Sequence, residues 1–202
     1  MRPTTRRAHL HAEFYRHNTL WTGAEVLRNL GNTPDGGLYA RLAATLFAYL
    51  AFEGLLNHLG EGLFPEDWKN EKSLFSKAPF KGTLGKLSFI AARCGLTVHR
   101  GSRPYSTLKA LDKQRSALVH SRTERRTKTV VFTDARRIPQ RLESEVAQWV
   151  TDRALARVFD DVKAMASTLV GAARSAHPRA MQHVYGAGFT GAVGSQGGHI
   201  EP

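Results

Sequence analysis

The sequence predicts an all-α protein, a bundle of about four or five helices that ends in a disordered, glycine-rich tail. Apolar residues recur at helical spacing along most of the 202 residues. Turn-forming stretches such as GNTPDGG, at 31–37, divide this pattern into separate segments. Only TKTVVFTD, at 127–134, has the β-branched run of an extended segment, and one strand cannot form a sheet alone.

Two helical regions lie on either side of the 31–37 loop. The first extends from Thr5 to Leu30, with a break expected at 21–23. The second, from Leu38 to Leu59, is strongly apolar and is stopped by the glycines and the proline of LGEGLFPED. The connector that follows, at 68–82, is expected to be irregular, with one short helical turn.

Three more helices are predicted further along the chain. Thr83 is the expected N-cap of one, with Gly95 just past its end. Pro104 opens the next, which extends to about His120, because proline is tolerated in a first helical turn. The last covers 142–173 and has an apolar stripe at helical spacing: Val146, Val150, Val158, Val162, Met165 and Leu169.

The predicted organisation has three parts. Residues 1–37 form an N-terminal helical region and loop, 38–176 form the main helical domain, and 177–202 form the tail. The tail contains HVYGAGFTGAVGSQGGHIEP, which is rich in glycine without any repeat, and this composition predicts disorder.

The charge of the chain indicates a polyanionic partner. The net charge is +12, with a pI of about 10.3. Residues 100–141 hold twelve lysines and arginines against three acidic residues. A solvated basic surface is the alternative interpretation. This segment also contains Arg115 and His120, the candidate catalytic residues described below, and that clustering favours nucleic acid as the partner.

The sequence also predicts a soluble protein of the cytoplasm. The single cysteine, Cys94, allows no disulfide within the chain. The N-terminal stretch has no apolar run typical of a signal peptide. The apolar stretch at 42–56 contains Glu53 and is shorter than the roughly 20 residues that a bilayer crossing needs. It is therefore expected to be a buried helix.

An arginine interrupts the apolar face of the helix that Pro104 opens. Arg115 follows Leu111 by four positions and precedes Leu118 by three, so it lies within the stripe that they form. A guanidinium there must be paired, face a groove or lie at an interface, because burying it unpaired is costly. Glu53 interrupts the apolar face of the predicted helix at 38–59, hereafter the central helix, in the same way. A Glu53–Arg115 ion pair would explain both interruptions.

His120 follows Arg115 by five positions. Five residues turn an ideal helix by about 140°, so the two side chains do not share a face. They can converge only if the helix ends near Val119 or if a second copy of the chain supplies one of them. A histidine that is favoured by the helix C-terminal dipole is the structural alternative.

The segment LDKQRSALVH resembles the HEPN superfamily, whose small all-α domains carry an arginine, four to six residues and a histidine near a helix end. Arg115 and His120 fit the four-residue spacing. The upstream YLAFEGLLNHLGE is similar to the long helix that precedes this motif in such domains. The resemblance covers about residues 38–173.

Two positions depart from the family pattern. The residue after the arginine is often Asn, Asp or His in active members, and here it is Ser116, which can still donate and accept a hydrogen bond. Members that are controlled by adenylylation often have a tyrosine two residues after the histidine. Here that residue is Arg122, which argues against this form of control.

The resemblance implies a metal-independent endoribonuclease, of the kind found in toxin–antitoxin and defence systems, that acts as a homodimer without a cofactor. His120 is then the general acid or base, Arg115 stabilises the scissile phosphate, and Ser116 assists. Glu53 and Asn57 support the site from the central helix. RNA is the expected substrate, an antitoxin protein is a further expected partner, and the residues expected to bind the RNA backbone are Lys113, Arg122, Arg125, Arg126 and Lys128.

Two alternatives stay open. One is a catalytically silent HEPN-like dimer that binds RNA or a partner protein, which Ser116 favours. The other is a purely structural dimer in which Glu53 pairs with Arg115. A metal site is not expected, because His9 and His11 lie on different helical faces and Cys94 and His99 lack partners at zinc-ligand spacing.

Overall fold

A computed structural model describes residues 8–33, 37–120, 125, 144–189 and 194–200. These residues form an all-α bundle, which confirms the predicted fold class. Five of the helices in the described ranges have twelve residues or more, and a two-stranded antiparallel ribbon accompanies them. The helices are α1 (Arg16–Leu30), α2 (Gly37–Leu63), α3 (Pro65–Trp68), α4 (Glu71–Leu74), α5 (Gly82–Arg93), α6 (Tyr105–Val119), α7 (Glu145–Trp149), α8 (Asp152–Ala176) and α9 (Pro178–Met181), and the strands are β1 (Ala8–Phe14) and β2 (Gly194–Ile200).

Helix α2 is the centre of the bundle. Its buried residues face several directions around the helix, which is typical of a helix with neighbours on most sides. Helices α1, α5, α6 and α8 all contact it. In the described part of the chain, α2 is also the one helix long and apolar enough to cross a membrane by length and composition. Half of that apolar window is buried inside the protein.

Helix α1 packs antiparallel along α2 and is continuous through 21–23, where a break was expected. A Cβ at Gly54 on α2 would lie 3.2 Å from the His17 side chain, so the two helices approach closely at this point. Trp21 and Ala24 of α1 belong to the same apolar core as α2 and α8. The predicted N-terminal region therefore packs directly on the main helical domain.

The predicted last helix is two helices. Ser144 caps α7 by accepting a hydrogen bond from the Ala147 N–H, and Thr151 caps α8 by accepting one from the Ala154 N–H. These two caps start separate helices on either side of Val150, although the apolar stripe continues across the break. On α8 the predicted stripe is buried, at Val158, Val162, Met165 and Leu169.

Helix α5 starts two residues earlier than the predicted cap implies. Its N-cap is Lys81, which makes no side-chain capping bond, so the expected Thr83 cap is wrong. Thr83 instead lies buried in the first turn of α5. Gly95, with φ +67°, follows the end of the helix as predicted.

The start of α6 is tied to α8 by a buried carboxylate. Asp161 on α8 is 5% exposed and accepts hydrogen bonds from Arg103 Nε and Nη2 and from the Thr107 hydroxyl. The Arg103–Asp161 contact is bidentate, the geometry that suits a guanidinium and a carboxylate. Asp161 therefore fixes the N-terminal end of α6, while His120 lies at the other end of this helix.

The connector at 68–82 contains one short helix, α4, as predicted, and a further short helix, α3, directly precedes it. The Trp68 ring covers Gly60 near the end of α2, where a Cβ would lie 2.0 Å from Trp68 Cζ2. Only glycine leaves room for the indole in this position. Glu71 and Lys72 of α4, which follows Trp68 in the chain, line the cleft described below.

Residues 177–189, the first part of the segment predicted to be disordered, pack on the bundle. Val184 and Ala187 are buried against the bundle, and the Phe189 ring stacks on Trp21 with centroids 4.2 Å apart. Gly186 has φ +66°, and a Cβ there would lie 2.4 Å from the Tyr15 ring. These apolar contacts stabilise 177–189, and β2 pairs with β1 beyond it. The predicted extended segment 127–134 lies outside the described residues.

Candidate active-site cleft

An open cleft of about 480 Å³ lies between α2, α4, the start of α5 and the second half of α6. Arg115 and Ser116 both line it, from neighbouring positions on α6. Most of its wall is polar or charged: Glu53, Glu71, Lys72, Lys81, Thr83, Lys86 and Asp112 line it together with Phe75 and Gly82. Two of the three predicted catalytic residues therefore lie in one cleft.

Arg115 and Glu53 approach each other across the cleft. The Arg115 Nη2 atom lies 3.9 Å from Glu53 Oε2, beyond hydrogen-bond distance. The arginine side chain is 38% exposed and the glutamate side chain is 24% exposed. Glu53 Oε2 is itself buried and has no hydrogen-bond partner. The guanidinium is thus held loosely and keeps donors available on its solvent side.

Asn57, the second predicted supporting residue, contacts a lysine that the sequence did not single out. Lys86 of α5 is 7% exposed, and its Nζ donates a hydrogen bond of 2.7 Å to Asn57 Oδ1. The same Nζ forms an ion pair with Glu71 of α4. A buried ammonium needs such partners to be tolerated. Asn57 therefore acts on the cleft through Lys86.

Tyr49 connects the apolar core to the same wall. Its hydroxyl donates a hydrogen bond of 2.5 Å to Asp112 Oδ1 on α6. Burial raises the pKa of Tyr49 well above its ordinary value of 10.0, and the hydrogen bond to Asp112 raises it further. The tyrosine therefore stays protonated at neutral pH and continues to donate to the carboxylate.

His120 lies outside this cluster. It is the exposed C-cap of α6, where its backbone N–H donates to the Ser116 carbonyl. It is absent from the described lining of the cleft. The structure thus agrees with the 140° rotation expected from the sequence, and one chain does not bring His120 to the cleft wall of Arg115.

The residues expected to bind RNA are only partly described. Lys113 is exposed on α6, and Arg125 is exposed beyond the end of that helix. Arg122, Arg126 and Lys128 lie outside the described residues.

Several cleft residues were missed although their spacing signals them. Asp112 precedes Arg115 by three positions on α6, and Tyr49 precedes Glu53 by four on α2, so each shares a helix face with a residue that was identified. Lys86 has no such signal, because a single lysine on a helix resembles a solvated one. Its partners lie on other helices and become evident only from the fold.

Within the described ranges, no group of three or more His, Cys, Asp or Glu residues is arranged to hold a metal ion. Neither family models, nor curated proteins, nor solved structures gave a match to this chain.

Proposed function

We propose that this protein is a metal-independent endoribonuclease of the HEPN type that acts as a homodimer in the cytoplasm. One observation supports the proposal most directly: Arg115 lines an open, polar cleft and is 38% exposed, without a hydrogen bond to Glu53. A purely structural arginine would be buried and tightly paired. An accessible guanidinium suits an oxyanion, since its planar fork matches phosphate oxygens.

The proposed reaction is an internal transesterification of RNA. His120 of one chain removes the proton from a ribose 2′-hydroxyl, and the 2′-oxygen attacks the adjacent phosphorus. The bond from phosphorus to the 5′-oxygen breaks, and that oxygen takes up a proton from a general acid. Arg115 stabilises the negative charge that develops on the phosphoryl oxygens. The products are a 2′,3′-cyclic phosphate and a 5′-hydroxyl.

The homodimer supplies what one chain lacks. Because His120 and Arg115 face different directions, the proposed site combines groups from two α6 helices that face each other. Val119, next to His120, is 63% exposed, and an exposed apolar residue beside the histidine suits a contact between copies.

The test is cleavage of a mixed RNA in EDTA by wild type and by His120→Ala, with analysis of the product ends. His183→Ala, at another exposed histidine, is the matched control. We expect wild type and the control to cleave and to leave cyclic phosphate ends, and His120→Ala to lose cleavage while it stays folded. If folded, dimeric wild type and His120→Ala are equally inert, the nuclease proposal is wrong.

A silent RNA-binding or protein-binding dimer is the second candidate. The exposed position of His120, outside the cleft of Arg115, favours it, as does Ser116 in place of the usual Asn, Asp or His. This candidate predicts that RNA or a partner protein binds equally well to wild type and to His120→Ala, without cleavage by either.

A further inference from the structure

The three carboxylates in the cleft each have a donor or a cation beside them. Lys86 forms an ion pair with Glu71, and Tyr49 donates a hydrogen bond to Asp112. The third, Glu53, faces Arg115 at 3.9 Å. Glu71 is thus paired with a lysine of the cleft, Asp112 is held by a hydrogen bond, and Glu53 lies beside the Arg115 guanidinium.

Two lysines of the cleft remain without an acidic partner among the described residues. Lys72 of α4 and Lys81, the N-cap of α5, are both exposed and both line the cleft. In total, four cationic side chains line the cleft against three carboxylates. Lys72 and Lys81, hereafter the lysine rim, account for this excess of positive charge and give the cleft a positive potential.

The backbone beside the lysine rim adds to that potential. Lys81 makes no side-chain capping bond to α5, and Gly82 leaves open space where another residue would place a Cβ. The N–H groups of a first helical turn have no carbonyl within the helix and carry a partial positive charge. The Gly82 N–H already donates to the Phe75 carbonyl, so the start of α5 adds its partial positive charge to that of the lysine rim, without a free donor from Gly82.

We infer that the lysine rim binds a backbone phosphate of RNA, next to the scissile phosphate that Arg115 contacts. This inference rests on the proposed function and assigns a second phosphate subsite to the same cleft. A volume of about 480 Å³ lies within the range of about 300–1,000 Å³ that ligand sites occupy. The lysines act as point charges that hold the strand without selecting its sequence.

The experiment measures binding of a short, fluorescein-labelled single-stranded RNA in a His120→Ala background, which prevents cleavage. The test variant adds Lys72→Ala and Lys81→Ala. The matched control adds Lys69→Ala and Lys163→Ala, which remove the same charge at exposed positions outside the cleft. A third variant, Lys72→Arg with Lys81→Arg, keeps the charge. Affinity is measured over a series of salt concentrations, and circular dichroism checks that every variant is folded.

We expect the test variant to bind about five- to tenfold more weakly than the control and the arginine variant. For the test variant, the slope of log affinity against log salt concentration should be shallower by about 0.7, since one phosphate contact to a single strand is lost. Equal binding by the test and control variants would overturn the subsite. The same loss of affinity for poly-glutamate would overturn its assignment to phosphodiesters.

The failure of the subsite and the failure of the nuclease have different signatures. If the test variant binds RNA like the control, while protein with His120 intact cleaves in EDTA, only the lysine rim is excluded. If no variant binds RNA and wild type does not cleave, the proposed function fails, and the subsite fails with it.

Discussion

Tyr49 on α2 donates a 2.5 Å hydrogen bond to Asp112 on α6, so a residue of the apolar core positions a carboxylate of the cleft. Tyr49 is 1% exposed. Replacing it with phenylalanine keeps the ring in the core and removes the donor.

We expect Tyr49→Phe to lower the free energy of unfolding by about 0.5–1.5 kcal/mol, because Asp112 loses its buried partner. Urea unfolding followed by circular dichroism measures the change. Tyr39→Phe, at an exposed tyrosine near the start of the same helix, is the control and should leave stability unchanged. Equal stability of the two variants would contradict a stabilising role for this bond.

Neutralising Glu53 distinguishes a structural ion pair from a loosely held catalytic arginine. Because Arg115 is partly exposed and lies 3.9 Å from Glu53, we expect Glu53→Gln to change the free energy of unfolding by less than about 1 kcal/mol. Chemical unfolding of Glu53→Gln is compared with that of Glu61→Gln, a substitution at an exposed position on the same helix. A loss of several kcal/mol in Glu53→Gln alone would indicate that Arg115 is a structural residue.

Asp161 should matter far more for stability than its neighbour Asp160. Asp161 is 5% exposed and accepts a 2.5 Å hydrogen bond from the Thr107 hydroxyl as well as the bonds from Arg103. We expect Asp161→Asn to lower the free energy of unfolding by about 1–3 kcal/mol, since the buried Thr107 hydroxyl loses a charged acceptor. Asp160→Asn, at an exposed position, should have little effect. Thermal unfolding of the two variants checks the difference.

Acid should weaken the attachment of the C-terminal segment through His17. His17 is 2% exposed, its Nε2 donates to the Gly186 carbonyl at 2.8 Å, and its ring lies 4.8 Å from that of His58. Burial lowers the pKa of His17 below its ordinary 6.5, and the neighbouring His58 lowers it further. Below pH 6.5, His17 therefore takes up a proton more readily in the unfolded chain than in the folded chain.

The stability that neutral His17 gives is complete above pH 6.5. It is lost as the pH falls toward the folded-state pKa, by at most about 1.4 kcal/mol per pH unit. Hydrogen exchange of residues 184–189 against pH measures this loss. We expect His17→Gln to flatten the profile between pH 6.5 and the lower pKa, and His183→Gln, at an exposed histidine, to leave it unchanged. Identical profiles for His17→Gln and wild type would contradict this role.

Local patterns predicted the fold class and much of the helix order. The apolar stretch around Phe52 and the proline at 104 each mark a helix without reference to the rest of the chain. The break at Val150 escaped prediction because the apolar stripe is continuous there, while the capping bonds of Ser144 and Thr151 start separate helices. The packed segment around Gly186 escaped for another reason: its stability comes from the rings of Tyr15 and Trp21, which are far away in sequence.

The cleft was predictable only in part. Arg115 and Glu53 each break an apolar face, so their position on the helices indicated a site, and the structure brings them to one cleft. The contribution of Lys86 depends on Asn57 and Glu71, which approach it only after three helices have packed. Periodicity describes one helix at a time and cannot identify such a contact.

The close contact of Trp68 with Gly60 has a consequence for how this chain can vary in evolution. A Cβ at position 60 would overlap the indole, so selection would retain glycine there without any direct role in chemistry. Among descendants of this sequence, Gly60 would then vary little for a reason of shape alone. The positions that do not vary among related sequences would therefore include residues that preserve shape as well as any that act on a substrate. Only the surroundings of each residue in the fold distinguish the two kinds.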